Sequence, residues 1–143
     1  MADETNRIRV RLVTPERILF DHPADAVELP SLAGHLETLY GAAPLMAELG
    51  AGDVTIYGGP DGEDSAARYN VSWGFAEVLP DRVTILANDA LKPQEIDVRR
   101  AEEQLDRGMR MWREAGESEA AYDDALHVIA EAEAKMASAA QKG

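Results

Sequence analysis

The chain changes its hydrophobic period once. From Arg7 to about residue 90, apolar residues alternate with polar ones in short runs; from Lys92 onward they recur at spacings of three and four. The first pattern suits strands and the second suits amphipathic helices. In Arg7–Val13, Ile8, Val10 and Leu12 take one face and Arg7, Arg9 and Arg11 the other. Ile18–Phe20 and Val27–Leu29 read as short strands, the second stopped by Pro30. Ser31–Leu49, punctuated by Gly34 and Gly41, keeps no period and is read as irregular. Gly52–Tyr57 is a strand, and Gly58–Gly62 is a turn that returns the chain near Ala67.

The densest stretch is Tyr69–Ala90, two strands joined by Pro80-Asp81, where proline presets φ and aspartate tolerates turn geometry. Strict alternation puts Val71, Trp73, Phe75 and Glu77 on one face and Ser72, Gly74, Ala76 and Val78 on the other. Val83, Ile85 and Ala87 then alternate with Thr84 and Leu86. Beyond Pro93, Asp97 stands at a helix N-cap position. The stripe Val98, Ala101, Leu105, Met109 and Trp112 runs to Gly116. Ser118 can cap a second helix striped by Tyr122, Leu126, Ile129 and Met136. The short turn makes the two helices antiparallel. The fold class is β + α: an N-terminal antiparallel β-sandwich or flattened barrel over residues 1–90, then a C-terminal antiparallel helical hairpin over 91–143. Met1–Asn6 is a polar tail.

Composition narrows the function. The net charge is -13, which opposes binding to nucleic acid or to anionic lipid. There is no cysteine, so disulfides, thiolate chemistry and cysteine metal sites are excluded. No apolar run approaches 18 residues, the length a spanning helix needs, and the start lacks a hydrophobic signal core. These features suggest a cytoplasmic protein that meets membranes only through partners. The three arginines of Arg7–Val13 read either as protective charges on an edge strand or as a docking face for an acidic partner. The first helix carries Arg99, Arg100, Arg107, Arg110 and Arg113, and Glu103 can pair with Arg107 at i,i+4.

No residue set suggests catalysis. His22, His35 and His127 are scattered, and no two stand four apart, so no helical metal site is expected. No Gly-x-Ser-x-Gly elbow is present. The glycine-rich Gly58–Gly62 is followed by Glu63 and Asp64 and not by lysine, which argues against phosphate binding there. We therefore expect no catalytic residues, no metal and no cofactor.

The run V-S-W-G-F-A-E-V-x-P-x-x-V-T-I-L-A over residues 71–87 resembles the penultimate hairpin of the ε subunit of F-type ATP synthases. V-T-P-E-R-I-L-F and A-V-E-L-P repeat the family's opening order. Gly34, Leu36, Leu39, Gly41, Ala43, Pro44 and Leu45 keep the frame of its loop pattern, whereas Glu37, Tyr40 and Ala42 depart where glycine, proline and histidine are usual. The resemblance runs from Arg7 to Met136. It implies a non-catalytic central-stalk subunit, peripheral at the cytoplasmic face of the cell membrane. Its sandwich would bind the γ subunit and, through Gly34, His35, Leu36, Gly41 and Ala42, the c-subunit ring. It would couple ion-driven ring rotation to ATP synthesis. The hairpin would switch between a compact state on the sandwich and an extended state along γ, where it inhibits hydrolysis against the α/β catalytic subunits.

Ile96, Asp97, Arg100 and Ala101 match the I/L-D-x-x-R-A box that helps some ε subunits bind ATP as a regulatory ligand. In such members the second helix adds two arginines, where this chain has Glu131 and Lys135. A helix cap with a surface arginine explains the same four residues. The competing function is a free-standing adaptor or regulatory module that binds an unrelated soluble partner.

Overall fold

The computed structural model describes residues 6–141; most of the polar tail expected at Met1–Asn6 lies outside them. The chain divides into two compact units, one up to Ala90 and one from Leu91 onward.

The first unit holds seven strands: β1 (Ile8–Val13), β2 (Ile18–Ala24), β3 (Ala26–Ser31), β4 (Gly34–Leu39), β5 (Leu45–Tyr57), β6 (Ala66–Leu79) and β7 (Arg82–Leu91). They form one continuous sheet in the order β2-β1-β7-β6-β5-β3-β4, folded over a single core as a sandwich. Ile8, Val10 and Leu12 meet Leu29, Val54, Ile56, Val71, Val83 and Ile85 there, all fully buried. The described ladders are antiparallel except β1–β7, which is parallel. That places β1 inside the sheet, so the edge-strand reading of its arginines is wrong. Arg7 instead ties a corner: it pairs with Asp25 at 3.3 Å and donates to the carbonyls of Gly58 and Pro23.

Strict alternation along β6 also fails, for a definite reason. Tyr69 and Val71 are buried in the core, but so are Ala76 and Val78, while Phe75 and Glu77 are exposed. The inward set changes parity across Trp73 and Gly74, which have φ of 59° and 129°. A bulky residue in the left-handed region is uncommon and marks a local bulge. Gly74 is required beside it, because a Cβ there would collide with the Leu86 carbonyl oxygen. Its partner strand changes parity at the same level: Leu49 points inward, then Val54 and Ile56 do. The strand assigned to Gly52–Tyr57 therefore begins at Leu45. Its first half was illegible because Gly50 and Gly52 break the period where the chain crosses close to Ser31 and Pro30.

Ser31–Leu49 is also more regular than expected. Two residues, Leu32 and Ala33, turn β3 into β4, in register from Ala26↔Leu39 to Ser31↔Gly34. Pro30 does not stop β3. It sits where the β3–β5 register shifts, so its missing N–H costs no ladder bond.

The second unit opens with a single 3-10 turn, Pro93–Glu95, followed by α1 (Val98–Glu114) and α2 (Glu119–Ala140). Asp97 and Ser118 are the N-caps, accepting from the N–H groups of Arg100 and Ala121, each at 3.2 Å. The buried seam differs from the predicted stripes. Ala101, Gly108 and Ala115 on the α1 side are buried, as are Ala125, Ala132 and Ala139 on α2, each set at seven-residue spacing. Met109, Trp112, Tyr122 and Leu126 stay partly exposed beside it, with the Trp112 and Tyr122 rings edge to face at 5.7 Å. Small residues win the seam because they let two backbones approach closely; the large ones fit only at its margin. Gln104 Nε2 donates across to the Val128 carbonyl at 3.4 Å.

Candidate partner-binding surfaces

The loop residues singled out in the sequence fall on a hairpin and the turn after it. Gly34, His35 and Leu36 begin β4; Gly41 and Ala42 follow its end. The hairpin tip is held by the Leu32 N–H donating to the Glu48 carbonyl at 3.0 Å. The following turn is held by Gly41 N–H donating to the Pro80 carbonyl at 2.7 Å. Gly34, His35 and Gly41 are exposed, whereas Leu36 and Ala42 pack partly against the core. The five therefore divide between surface and support.

Beside them the tip residues and the start of β5 enclose an open groove of about 400 Å³, lined by Leu32, Leu36, Leu45 and Met46 among others. Leu32, Leu45 and Met46 are large apolar residues left exposed. Sequence reasoning missed this groove, because β5 was not legible before Gly52. Of the positions that depart from the family pattern, Glu37 faces Glu28 directly across the β3–β4 ladder, and Tyr40 is exposed. His35 Nε2 lies 3.8 Å from the Glu28 carboxylate. Burial raises the Tyr57 hydroxyl above its usual range, and the Glu28 charge adds to the shift.

The second group lies at the start of α1. Ile96 and Ala101 are buried, and the Asp97 carboxylate is engaged as the cap. Arg100 is exposed and shares an open groove on α1 with Gln104, Arg107 and Arg110. Glu103 belongs to the same groove and makes its i,i+4 pair with Arg99, at 3.7 Å. On α2, Lys135 and Glu131 form an ion pair at 2.8 Å. Among the described residues, no group of three or more His, Asp or Glu is placed to hold a metal ion. No described helix is long and apolar enough to cross a membrane.

The sequence profile of the ATP synthase Delta/Epsilon chain beta-sandwich domain matches residues 7–93. The ATP synthase epsilon chain of Solibacter usitatus is 36% identical over 137 residues, covering 94% of this chain and 97% of that one. The chain belongs to the ATP synthase epsilon chain family. The epsilon chain of Koribacter versatilis is 39% identical over 107 residues, covering 73% of this chain and 71% of its own. A chain of the Euglena gracilis mitochondrial ATP synthase, from a structure of its OSCP, F1 and c-ring, shares the fold. Its TM-score is 0.77 at 20% identity, covering 99% of this chain and 85% of that one. ATP synthase epsilon chains are non-catalytic subunits of the central stalk of the rotary complex. The expected sandwich and helical pair are therefore the family's fold.

Proposed function

We propose that this epsilon chain works in the central stalk of an F-type ATP synthase, at the cytoplasmic face of the membrane, and helps couple ion-driven c-ring rotation to ATP synthesis. The unit up to Ala90 binds the γ subunit by its side and the c ring by the β3–β4 hairpin and the turn at Gly41. The unit from Leu91 regulates ATP hydrolysis by changing position against the α/β catalytic subunits. The single observation carrying this is the match to a whole epsilon chain, which spans both units in the same order.

Two geometric features support the division of roles. The β3–β4 hairpin offers an exposed tip beside an apolar groove, a shape suited to partner contact. The α1–α2 seam of Ala and Gly keeps the two helices packed on each other, so the pair can move as one body between states a few kcal/mol apart. We assign no regulatory ATP site. The Asp97 carboxylate is engaged as a cap, and Glu131–Lys135 stands where nucleotide-binding members carry two arginines.

The test is genetic and biochemical. Membranes from a deletion strain should lose coupling between proton or sodium flow and ATP synthesis, and tagged protein should recover γ and c from native membranes. Coupling that survives the deletion removes the coupling role. Recovery of soluble partners alone, without γ, would favour the adaptor reading.

A further inference from the structure

We infer that the β3–β4 hairpin is a proton-sensitive element: a proton taken up by His35 offsets the facing carboxylates of Glu28 and Glu37 and firms the outer strand. The switch stands on the geometry of the hairpin itself. Its use, in adjusting the contact with the c ring, rests on the stalk reading above. β4 is suited to such control because it is the end strand of the sheet and, among the described ladders, pairs only with β3. A strand held on one side opens more readily than one held on both.

Two features weaken that single ladder. Glu37 lies directly opposite Glu28, and like charges opposed across a strand pair destabilise it. Thr38, on the inward face, is 3% exposed, and its hydroxyl has no hydrogen-bond partner among the described residues. A polar group taken out of water without a partner lowers the stability of the strand that carries it. The hold on β4 is therefore small enough for one charge to change it measurably.

His35 supplies that charge. It lies two residues before Glu37, hence on the same face of β4, and its Nε2 is 3.8 Å from the Glu28 carboxylate. An imidazole gains and loses its proton between about pH 5 and 8. Charged, it forms an ion pair with Glu28 and balances the opposed carboxylates; neutral, it leaves them facing each other. The other groups around Glu28 do not do this. From β5, Thr55 stands opposite Glu28 without charge. The Tyr57 hydroxyl is hydrogen-bonded to Glu28, and burial and the Glu28 charge raise it above its usual range, so it stays neutral. On β6, Arg68 is in register with Thr55 and lies 3.5 Å from Asp53 of β5; a guanidinium keeps its charge throughout this range. Pro30, opposite His35, has no titrating group. The hairpin is thus firmer at the acid end of the range and looser at the alkaline end, where it also presents one more unbalanced negative charge.

The test follows amide exchange in the full chain across about pH 5 to 8, with each amide corrected for its intrinsic rate. Protection in Gly34–Leu39, taken relative to β6, should fall roughly threefold as pH rises, the size of effect an exposed ion pair supplies. His35→Asn should remove the fall. Glu37→Gln, which removes the opposed charge and leaves His35 in place, should raise protection at the alkaline end and flatten the profile. Glu16→Gln, an exposed change in the β1–β2 turn, should leave the wild-type profile intact. A flat wild-type profile overturns the inference, and so does a fall that survives both His35→Asn and Glu37→Gln. If exchange responds as stated but tagged protein recovers no c from native membranes, the switch is upheld and its role at the ring is removed.

Discussion

Gly108 of α1 lies so close to Ile129 of α2 that a Cβ at position 108 would stand 2.7 Å from the Ile129 Cγ1 atom. It would also lie 3.2 Å from the Ile129 backbone nitrogen, which cannot rotate away. Admitting even a methyl group requires the Ile129 side chain to move and the facing backbone to give by a few tenths of an ångström. Gly108→Ala gains about 1 kcal/mol of helix propensity but costs about 1–3 kcal/mol of overpacking. We expect net destabilisation of the helical unit, read as faster amide exchange in Val98–Glu114 and Glu119–Ala140 than in the sheet. Unchanged or slower exchange would mean that the seam is looser than its geometry.

The bulge on β6 makes a sharper prediction. Gly74→Ala combines a left-handed φ with a collision against backbone, and neither can be relieved by a side-chain rotation. We expect a loss of at least about 3 kcal/mol, or failure to fold, in chemical denaturation. The conservative exposed change Glu77→Gln, three residues on, should stay within about 0.5 kcal/mol. A folded Gly74→Ala chain of near wild-type stability would refute the bulge.

Asp21 predicts a pH dependence. The hydrogen bond from Arg9, at 2.8 Å, holds its carboxyl below the usual carboxylate range, and the charges of Arg9 and Arg11 act in the same direction. A folded-state pKa below the unfolded one adds stability above the unfolded value, about 3.9, and loses it as pH falls through the folded value. The stability difference between wild type and Asp21→Asn should therefore be constant near neutrality and shrink below about pH 4. A difference that widened on acidification would contradict the assignment.

Asp97 separates a cap from a ligand. As the cap of α1 it should cost about 1 kcal/mol when replaced by alanine, with or without nucleotide. Thermal unfolding of the wild type in millimolar MgATP should show no stabilisation. A clear ATP-dependent rise in melting temperature that Asp97→Ala abolishes would instead place the nucleotide at the start of α1.

Sequence alone determined the two-part plan, because the change from alternating to three-and-four spacing is written in the order of residues and needs no distant contact. It also determined the caps Asp97 and Ser118 and the Pro80-Asp81 turn, since each depends on neighbours within a few positions. Its motifs located the family. Tertiary structure decided what depends on residues far apart. The parallel partner of β1 moved its arginines from an edge to the interior of the sheet. The crossing of Gly52 over Pro30 and of Gly74 against Leu86 reversed the inward face halfway along two strands and turned Phe75 outward. Close approach of two helix backbones gave the seam to Ala and Gly and left Trp112 and Tyr122 at its margin. Alternation reports a face only while the backbone stays regular, and the irregularities here are imposed by chain segments a dozen or more residues away.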